Sequence, residues 1–411
     1  MMTGNQNNHV ICIGAGQASL SCAAKLRSLG WTGAITLIGE EPHLPYQRPP
    51  LSKKYLTGEM SAERLLLRPP EWFTEQKVTC LTSQRVTAIE RATKTVALAS
   101  GGKLHYSSLL LATGCTPRRL PQAITRGLGN IHTVRDIADI DALAKHFRPG
   151  ARVVVVGGGY IGLEAASVAV KAAMQVTILE AAPRILERVA CRETSTYFST
   201  LHQSHGVEIV TGAKLELLRG ENSVVSAAVL ADGRVFACDV VIVGIGVTPN
   251  AGLAADAGLA VDNGIAVDEF CRTADPDILA AGDCTSFPHR GGRLRLESVP
   301  HAIAHGEAAA LTIAGQQQPY VAKPWFWSDQ YDIKLQIAGL NQGYDAVTTR
   351  GPGAAGDYSV WYYKAGVLLA VDAMNAAGAY MVGKRLIESG LSVQSDRVRD
   401  PAEEMKSWLK A

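Results

Sequence analysis

The chain alternates short apolar runs with stretches in which apolar residues recur every three or four positions. Residues 9–13 form one such run, and a helical pattern then leads to a second run at 34–38. The same order returns with runs at 152–156 and 175–179. Apolar runs of about five residues predict buried strands, and the three-to-four spacing predicts helices. The sequence therefore predicts an α/β protein that contains a strand–helix–strand unit twice.

A glycine-rich turn joins the first strand to the helix in each unit. The first turn contains Gly14, Ala15, Gly16 and Ser19, and the second contains Gly157, Gly159, Tyr160, Ile161 and Gly162. The first glycine permits a tight turn, the second lets a pyrophosphate approach the backbone, and the third allows the helix to pack closely on the strand. The amides at the helix start then face the anion. Ser19 replaces the third glycine with a small side chain, so each turn predicts a Rossmann-like dinucleotide site.

The second strand of each unit ends at an acidic residue. Glu40 and Glu180 both lie about 20 residues beyond their glycine turns, where a carboxylate accepts a hydrogen bond from the adenosine ribose. A carboxylate there also repels a 2′-phosphate, so Glu180 predicts NADH rather than NADPH in the second site. Arg184 is the contrary feature, because an arginine near this position can accommodate that phosphate.

The two units also close alike. The first ends in a strand followed by Thr113 and Gly114, and the second in an apolar strand followed by Gly246. A later predicted strand ends at Asp283, which we expect at the start of a helix. Its carboxylate would there either bind a polyol chain of a ligand or cap the helix, and the residues leave both interpretations open.

Composition excludes several classes of protein. The 411 residues predict two to three domains, and 47% apolar residues are enough for several cores. Because 40 Lys+Arg stand against 38 Asp+Glu, we expect no nucleic-acid or membrane partner. The eight cysteines show no C-x-x-C pair, so we expect no bound metal and free thiols in a reducing compartment. No signal peptide or membrane-length apolar run is seen, and we expect a soluble cytoplasmic protein.

Two motifs narrow the interpretation. Residues 45–53 read PYQRPPLSK and residues 324–331 read PWFWSDQY. Together with the two glycine turns and the A-G-D sequence that ends at Asp283, they resemble the putidaredoxin reductase type of ferredoxin reductase, within the two-dinucleotide flavoproteins. Apoptosis-inducing factor is a more distant relative of that fold. The resemblance implies FAD in the first site and NADH in the second.

The resemblance also implies a domain plan and a set of site residues. Residues 1–114 and 247–323 would form the FAD-binding domain, 115–246 the NAD-binding domain, and 324–411 a C-terminal α+β domain. FAD would be contacted by Gly14, Ala15, Gly16, Ser19, Glu40, Arg48, Lys53, Val86, Thr113, Gly114, Arg135, Asp283, Val299 and Trp327. NADH would be contacted by Gly157, Gly159, Tyr160, Ile161, Gly162, Glu180, Arg184 and Gly246. Lys53 would lie by the flavin N5 and pair with Glu164, and these two are the predicted catalytic residues.

Two positions depart from the family pattern. Gln47 stands where relatives commonly have Glu, which changes the local charge balance. His301 replaces an amide residue after Val299, so either a protonatable group lies near the flavin or the histidine is a helix-capping or surface residue.

The sequence also limits where electrons can go. Relatives that reduce disulfides carry a cysteine pair beside the flavin, and no such pair is present. We therefore expect an FAD-dependent NADH:ferredoxin oxidoreductase of the EC 1.18.1 class, which passes single electrons to an acidic 2Fe-2S ferredoxin that supplies a cytochrome P450 or Rieske-type oxygenase. Arg290, Arg293 and Arg295, together with basic residues in 48–68, are a candidate docking patch for that ferredoxin. The alternatives are a rubredoxin reductase, an NADH oxidase, or a redox-sensing module like apoptosis-inducing factor.

Overall fold

A computed structural model describes residues 8–352 and 356–409. Its strands are β1 (His9–Ile13), β2 (Ala34–Ile38), β3 (Val78–Leu81), β4 (Val86–Glu90), β5 (Thr95–Leu98), β6 (Lys103–His105), β7 (Ser108–Leu111), β8 (Cys115–Pro117), β9 (Ile131–His132), β10 (Arg152–Val156), β11 (Gln175–Leu179), β12 (Glu208–Val210), β13 (Leu215–Glu221), β14 (Val224–Leu230), β15 (Val235–Ala237), β16 (Val240–Val243), β17 (Val247–Pro249), β18 (Ile265–Ala266), β19 (Ile278–Ala280), β20 (Thr285–His289), β21 (Gly292–Leu294), β22 (Trp325–Gln330), β23 (Ile333–Gly339), β24 (Ala346–Arg350), β25 (Tyr358–Lys364) and β26 (Val367–Met374).

The helices are α1 (Gln17–Ser28), α2 (Ala62–Leu65), α3 (Pro70–Glu75), α4 (Gln122–Thr125), α5 (Ile137–Ala144), α6 (Tyr160–Lys171), α7 (Arg192–Ser204), α8 (Gly252–Asp256), α9 (Val299–Ile313), α10 (Ala377–Glu388) and α11 (Ser395–Arg399). A single π-helical turn covers Leu51–Tyr55. The described residues divide into two compact units: 8–47, 62–116 and 247–324 form the first, and the remaining described residues form the second.

The first unit is built on a parallel sheet with strand order β19-β7-β1-β2-β3. The central strand β1 pairs with both β2 and β7, so its carboxyl end lies where the strand order reverses. A ligand crevice forms outside the sheet at such a switch point. Helices α1 and α9 share one apolar core with the sheet, and Val10, Leu26, Leu37, Leu110 and Ala309 are wholly or almost wholly buried in it.

The second unit repeats this plan. Its parallel sheet has the order β12-β11-β10-β16-β9, and β10 is again the strand before the glycine turn, with β11 and β16 on its two sides. The valines of β10 are buried because both faces of a parallel sheet are covered. The carboxyl end of β10 is therefore a second switch point.

The same unit contains the C-terminal segment. Its antiparallel sheet has the order β22-β23-β26-β25-β24, and α10 packs on it through Tyr380, Val382 and Leu386. Trp361 and Val371 are fully buried in that core. This sheet-plus-helix arrangement is the C-terminal α+β fold that the family resemblance implies. The division into three domains remains a prediction.

One local prediction is wrong. Asp283 does not begin a helix, because the chain turns at residues 282–284 and continues as β20. Gly282 has a φ of +82°, and β20 pairs with β18 and β21. The next helix, α9, begins only at Val299. The interpretation of Asp283 as a helix cap is thereby excluded.

Candidate active site

The first glycine turn lies at the carboxyl end of β1. Gly14 has a φ of +105°, and a Cβ there would lie 2.2 Å from the carbonyl oxygen of Ala112. The turn therefore excludes any side chain at Gly14. Ser19 replaces the third glycine without breaking the turn, because its buried hydroxyl donates a hydrogen bond to the carbonyl oxygen of Gly14.

The second turn has the same geometry with three glycines. Gly157 has a φ of +107°, and a Cβ there would lie 2.4 Å from the carbonyl oxygen of Gly244. A Cβ at Gly162 would lie 2.1 Å from the carbonyl oxygen of Gly157. Both glycines are thus required by the packing of the turn itself.

Gly16 and Gly159 are different. Each has an extended backbone that other residues adopt, and a Cβ on either would meet no protein atom within 4 Å. Neither backbone strain nor packing explains glycine at these two positions. They lie at the N-terminal ends of α1 and α6, where backbone amides favour an anion. The open space fits a pyrophosphate at each turn, so the residues present fit two dinucleotides.

The two acidic residues that the sequence predicts at a ribose, Glu40 and Glu180, differ in their surroundings. Both Glu180 oxygens accept backbone hydrogen bonds, from the amide of Gly158 at 2.6 Å and that of Ala182 at 2.7 Å. The Glu40 side chain is 65% exposed and has Arg85 at 3.5 Å. Glu180 is therefore held in place before any ligand arrives, whereas Glu40 is free to adjust.

Arg184 does not offer its guanidinium to a 2′-phosphate. It forms an ion pair with Glu187 at 2.6 Å and donates to the carbonyl oxygens of Cys191 and Glu187. The Arg184 guanidinium, the one feature that argued against NADH, is therefore occupied by groups of its own loop.

Thr113, at the end of the first strand–helix–strand unit, forms hydrogen bonds with Asn250, a residue that the sequence does not single out. Thr113 donates to the carbonyl oxygen of Asn250 at 2.6 Å, and the Asn250 amide donates to that of Thr113 at 2.9 Å. Gly114 and Gly246 have φ values of +65° and +94°.

Other predicted residues occupy varied places. Arg48 donates to the carbonyl oxygen of Arg135 at 2.7 Å. Val86 begins β4, and Val299 begins α9 directly after its N-cap Ser298. The Trp327 ring lies 5.7 Å from that of Trp325.

Tyr160 and Ile161 are the first two residues of the helix that follows the second glycine turn. Ile161 is 45% exposed, an unusual place for a large apolar residue, and suits a ligand that covers it. The Tyr160 ring lies 5.1 Å from Phe326. The buried Tyr160 hydroxyl has no hydrogen-bond partner among the described residues.

The structure brings Lys53 and Glu164 together. The Lys53 ammonium lies 2.7 Å from Glu164 Oε2, and the two side chains are 19% and 5% exposed. The hydroxyl of Ser328 donates to Glu164 Oε1 at 2.7 Å, and Ser52 lies 3.4 Å from Oε2. A buried carboxylate needs such partners to remain charged. This constellation can hold a positive charge at a fixed point.

Two of the candidate docking arginines, Arg293 and Arg295, are not available for a partner protein as the sequence predicts. Arg293 donates to the carbonyl oxygens of Val267 and Ser286 and to the Ser286 hydroxyl. Arg295 pairs with Glu297 at 2.5 Å, and its side chain is only 14% exposed. Both guanidinium groups are therefore occupied by groups of their own unit.

His301 is neither a surface residue nor a charged one. It is 4% exposed, its Nδ1 lies 2.8 Å from the Tyr320 hydroxyl, and its ring stacks on Phe287. Burial lowers the pKa of His301 to about 4, so the imidazole is neutral at physiological pH. Ser298, not His301, caps the helix through its side chain.

The cysteines of the chain are free thiols, and most are buried. Burial raises the pKa of Cys80 to about 11 and that of Cys238 to about 12. Burial also raises the pKa of Cys191 and of Cys284. Thiols of this kind are poor nucleophiles at neutral pH.

Sequence reasoning missed the residues that surround Glu164. Ser328 and Gln330 lie on one face of β22, and His202 lies on α7. Alternation along residues 326–330 marks a common face, but nothing in the sequence says which helix that face covers.

Among the described residues there is no group of three or more potential ligands for a metal ion. Within the same residues, no helix is both long enough and apolar enough to cross a membrane.

Comparison with known proteins agrees with this geometry. Residues 8–306 match the family model of the pyridine nucleotide-disulphide oxidoreductases, and residues 325–409 match that of the reductase C-terminal domain. Putidaredoxin reductase CamA of Pseudomonas putida is 40% identical over 99% of this chain and 98% of that protein. The ferredoxin reductase subunit of 5,5'-dehydrodivanillate O-demethylase from Sphingobium is 40% identical over 98% of each chain.

A solved structure agrees as well. The crystal structure of the covalent putidaredoxin reductase–putidaredoxin complex matches with a TM-score of 0.95 and 39% identity, over 99% of both chains. The chain therefore belongs to the putidaredoxin reductase type of ferredoxin reductases. It is an FAD-binding oxidoreductase that uses NAD(H), and the predicted fold of two dinucleotide-binding domains with a C-terminal domain is confirmed.

Proposed function

We propose that this protein is an NADH:ferredoxin oxidoreductase whose 2Fe-2S ferredoxin supplies a cytochrome P450 or a Rieske-type oxygenase. The observation that carries the proposal is the open space at Gly16 and Gly159, one position in each glycine turn. Relatives named putidaredoxin reductase and ferredoxin reductase subunit support ferredoxin as the acceptor. NADH gives up two electrons and a proton as hydride, two ferredoxins each take one electron, and the proton goes to solvent.

Each nucleotide would be held by its own turn. The FAD pyrophosphate would lie on the amides after Gly14, Ala15 and Gly16, with Glu40 at the ribose. Further contacts to FAD would come from Ser19, Arg48, Val86, Thr113, Gly114, Arg135, Asp283, Val299 and Trp327. NADH would lie on Gly157, Gly159 and Gly162, with Tyr160, Ile161, Arg184 and Gly246 nearby and Glu180 at its ribose. The two hydrogen bonds that hold Glu180 support NADH over NADPH.

Lys53 and Glu164 are the proposed catalytic pair. Bound FAD supplies hydride acceptance and one-electron donation. By family resemblance Lys53 would lie beside the flavin N5, where its ammonium would stabilise negative charge on the reduced ring. The 2.7 Å contact with Glu164 fixes the position of that ammonium. A fixed charge contributes more to catalysis than a mobile one because it needs no reorganisation during the reaction.

Electrons leave without the help of a thiol. Cysteine pKa values raised by burial support direct transfer to a protein acceptor. Free cysteines also support a reducing compartment, and we place the enzyme in the cytoplasm.

The test is the rate of NADH consumption by the purified FAD-loaded protein in air, with and without a 2Fe-2S ferredoxin and cytochrome c as terminal acceptor. We expect a slow rate in air that rises at least tenfold with ferredoxin. A fast rate without ferredoxin would identify an oxidase. A rise only with rubredoxin would identify a rubredoxin reductase, and NADH-dependent dimerisation without turnover would identify a redox-sensing module.

A further inference from the structure

A continuous line of buried polar groups ends on Glu164. The Tyr331 hydroxyl lies 3.0 Å from His202 Nδ1, and His202 Nε2 lies 2.9 Å from Gln330 Oε1. The Gln330 amide donates to Ser328 Oγ at 3.2 Å, and Ser328 donates to Glu164 at 2.7 Å. We call Tyr331, His202, Gln330 and Ser328 the donor chain. His202, Gln330 and Ser328 are fully buried.

The fold explains how these residues come into line. Residues 326, 328 and 330 lie on one face of β22, because side chains alternate along a strand. Along α6, every fourth residue faces that strand: Tyr160 lies against Phe326, and Glu164 lies against Ser328. Four helical residues rise about 6 Å and two strand residues about 6.6 Å, so the two rows stay in register.

Glu164 Oε1 fixes the direction of the hydrogen bonds in the donor chain. It accepts from the Ser328 hydroxyl, whose oxygen then accepts from the Gln330 amide. Gln330 Oε1 then faces His202 Nε2, which must carry the proton. His202 Nδ1 is left as an acceptor for the Tyr331 hydroxyl.

Burial lowers the pKa of His202 to about 4, so the imidazole is neutral and donates from one ring nitrogen only. That single proton lies on Nε2 when Gln330 presents its Oε1 to the ring.

We propose that His202, acting through Gln330 and Ser328, is a positioning residue that holds the Glu164 carboxylate in place, with Oε2 aimed at Lys53. This inference rests on the proposed function, in which Lys53 lies beside the flavin. The donor chain then sets the charge balance at the flavin from a histidine that touches neither substrate nor cofactor. Without the donor chain, Glu164 no longer fixes the Lys53 ammonium in place, and the reduced flavin is less stabilised.

The experiment uses FAD-loaded protein and compares the variants His202→Phe and Ser328→Ala with His202→Gln, whose amide restores a donor near Nε2. The exposed Gln203, next to His202 on α7, supplies the matched control Gln203→Ala. We expect His202→Phe and Ser328→Ala to shift the equilibrium between oxidised and reduced FAD at least tenfold toward the oxidised form. That shift is about 30 mV for a two-electron couple. His202→Gln and Gln203→Ala should stay close to the unaltered protein.

A second readout does not depend on the flavin. Nitrogen chemical shifts of the His202 imidazole should report the Nε2–H tautomer in the unaltered protein, and that tautomer should persist from pH 8 to pH 6. The Nδ1–H tautomer, or an unchanged FAD potential in both His202→Phe and Ser328→Ala, would overturn the inference. If Lys53→Met shifts the potential while those variants do not, the inference alone fails. If NADH does not reduce the unaltered protein, the proposed function fails.

Discussion

The Lys53 ammonium lies 2.7 Å from the Glu164 carboxylate, although 111 residues separate them in the chain. Glu164 belongs to the helix that begins at the second glycine turn, and Lys53 belongs to the π-helical turn after PYQRPP. One ion pair thus joins the predicted NADH site to the residue expected beside the flavin. The Lys53 side chain is 19% exposed and that of Glu164 is 5% exposed, so the carboxylate is the more deeply buried partner.

Replacing that carboxylate tests its role. Glu164→Gln keeps the shape and the bond from Ser328 but removes the charge, so we expect flavin reduction by NADH to slow by about 10- to 100-fold, a loss of roughly 1.4 to 2.7 kcal/mol of transition-state stabilisation. Stopped-flow loss of oxidised-flavin absorbance measures the rate. The surface pair Lys384–Glu388 gives the matched control Glu388→Gln, which should leave the rate unchanged. If NADH reduces the flavin at the same rate in the unaltered protein, Glu164→Gln and Glu388→Gln, then Glu164 has no role in flavin reduction.

Coenzyme preference depends on Glu180. We expect kcat/KM for NADH to exceed that for NADPH by about 100-fold or more, because the carboxylate is fixed by two backbone amides and repels a 2′-phosphate. Glu180→Ala should lower kcat/KM for NADH and narrow the ratio at least tenfold. Glu40→Ala, at the same place in the first unit, should weaken FAD binding and leave the ratio alone. A ratio that survives Glu180→Ala would place the discrimination elsewhere.

The open positions Gly16 and Gly159 separate ligand binding from folding. Alanine at either should leave the midpoint temperature of the apoprotein within about 2 °C, since its Cβ meets no protein atom within 4 Å. Gly159→Ala should weaken NADH binding at least tenfold, and Gly16→Ala should do the same for FAD. Isothermal titration with each nucleotide gives the affinities. Unaltered affinity in both variants would mean that the pyrophosphates lie elsewhere.

Arg293 should matter for stability rather than for docking. Because its guanidinium donates to Val267 and Ser286, Arg293→Ala should lower the free energy of unfolding by about 1 to 3 kcal/mol. Arg290→Ala, at an exposed neighbouring residue, should cost less than about 0.5 kcal/mol. Chemical denaturation measures both. A raised KM for ferredoxin with unchanged stability in Arg293→Ala would restore the docking patch.

Stability should fall as pH falls from about 6.5 to 4. Burial lowers the pKa of His202 and of His301 to about 4, so the unfolded chain binds more protons than the folded one in that window. Each contributes up to about 3 kcal/mol that is present at neutral pH and lost on acidification. Burial raises the pKa of Asp372 to about 6 and also raises the pKa of Asp139, and these two carboxyl groups act in the opposite direction. More histidines than these two carboxyls are affected, because burial also lowers the pKa of His132 to about 4 and lowers that of His305.

Denaturation at pH 7, 6 and 5 with excess FAD measures this dependence. His202→Gln should reduce the proton uptake on unfolding by nearly one at pH 5 to 6. A free energy of unfolding that is flat or rises on acidification would contradict the buried, neutral state of these histidines.

Local pattern was enough for the elements that carry the nucleotide sites. The strands 9–13, 34–38, 152–156 and 175–179 have the predicted bounds, because a strand buried on both faces is continuously apolar and its ends are marked by glycine or charge. The glycine turns could also be predicted from the sequence, because the large positive φ of Gly14 and Gly157 is a conformation that almost no other residue adopts.

Side-chain partnership was decided by the tertiary structure. The sequence predicts ligand or partner contacts for Arg184, Arg293 and Arg295. Each guanidinium instead binds a nearby carboxylate or carbonyl group that the sequence does not mark as its partner. Asp283 has the pattern of a helix cap, but the pairing of β20 with β18 and β21 turns the chain into a strand. Long-range pairing overrides a local preference when it satisfies more backbone groups.

By itself, the sequence determined two glycine turns with their acids, the free thiols and, through family resemblance, the expectation that Lys53 meets Glu164. Only the tertiary structure decided that Ser328, Gln330 and His202 extend that pair into a buried line. The physical reason is distance along the chain: local backbone preferences act over a few residues, whereas a hydrogen bond between α7 and β22 joins residues 128 apart and exists only once both elements have packed.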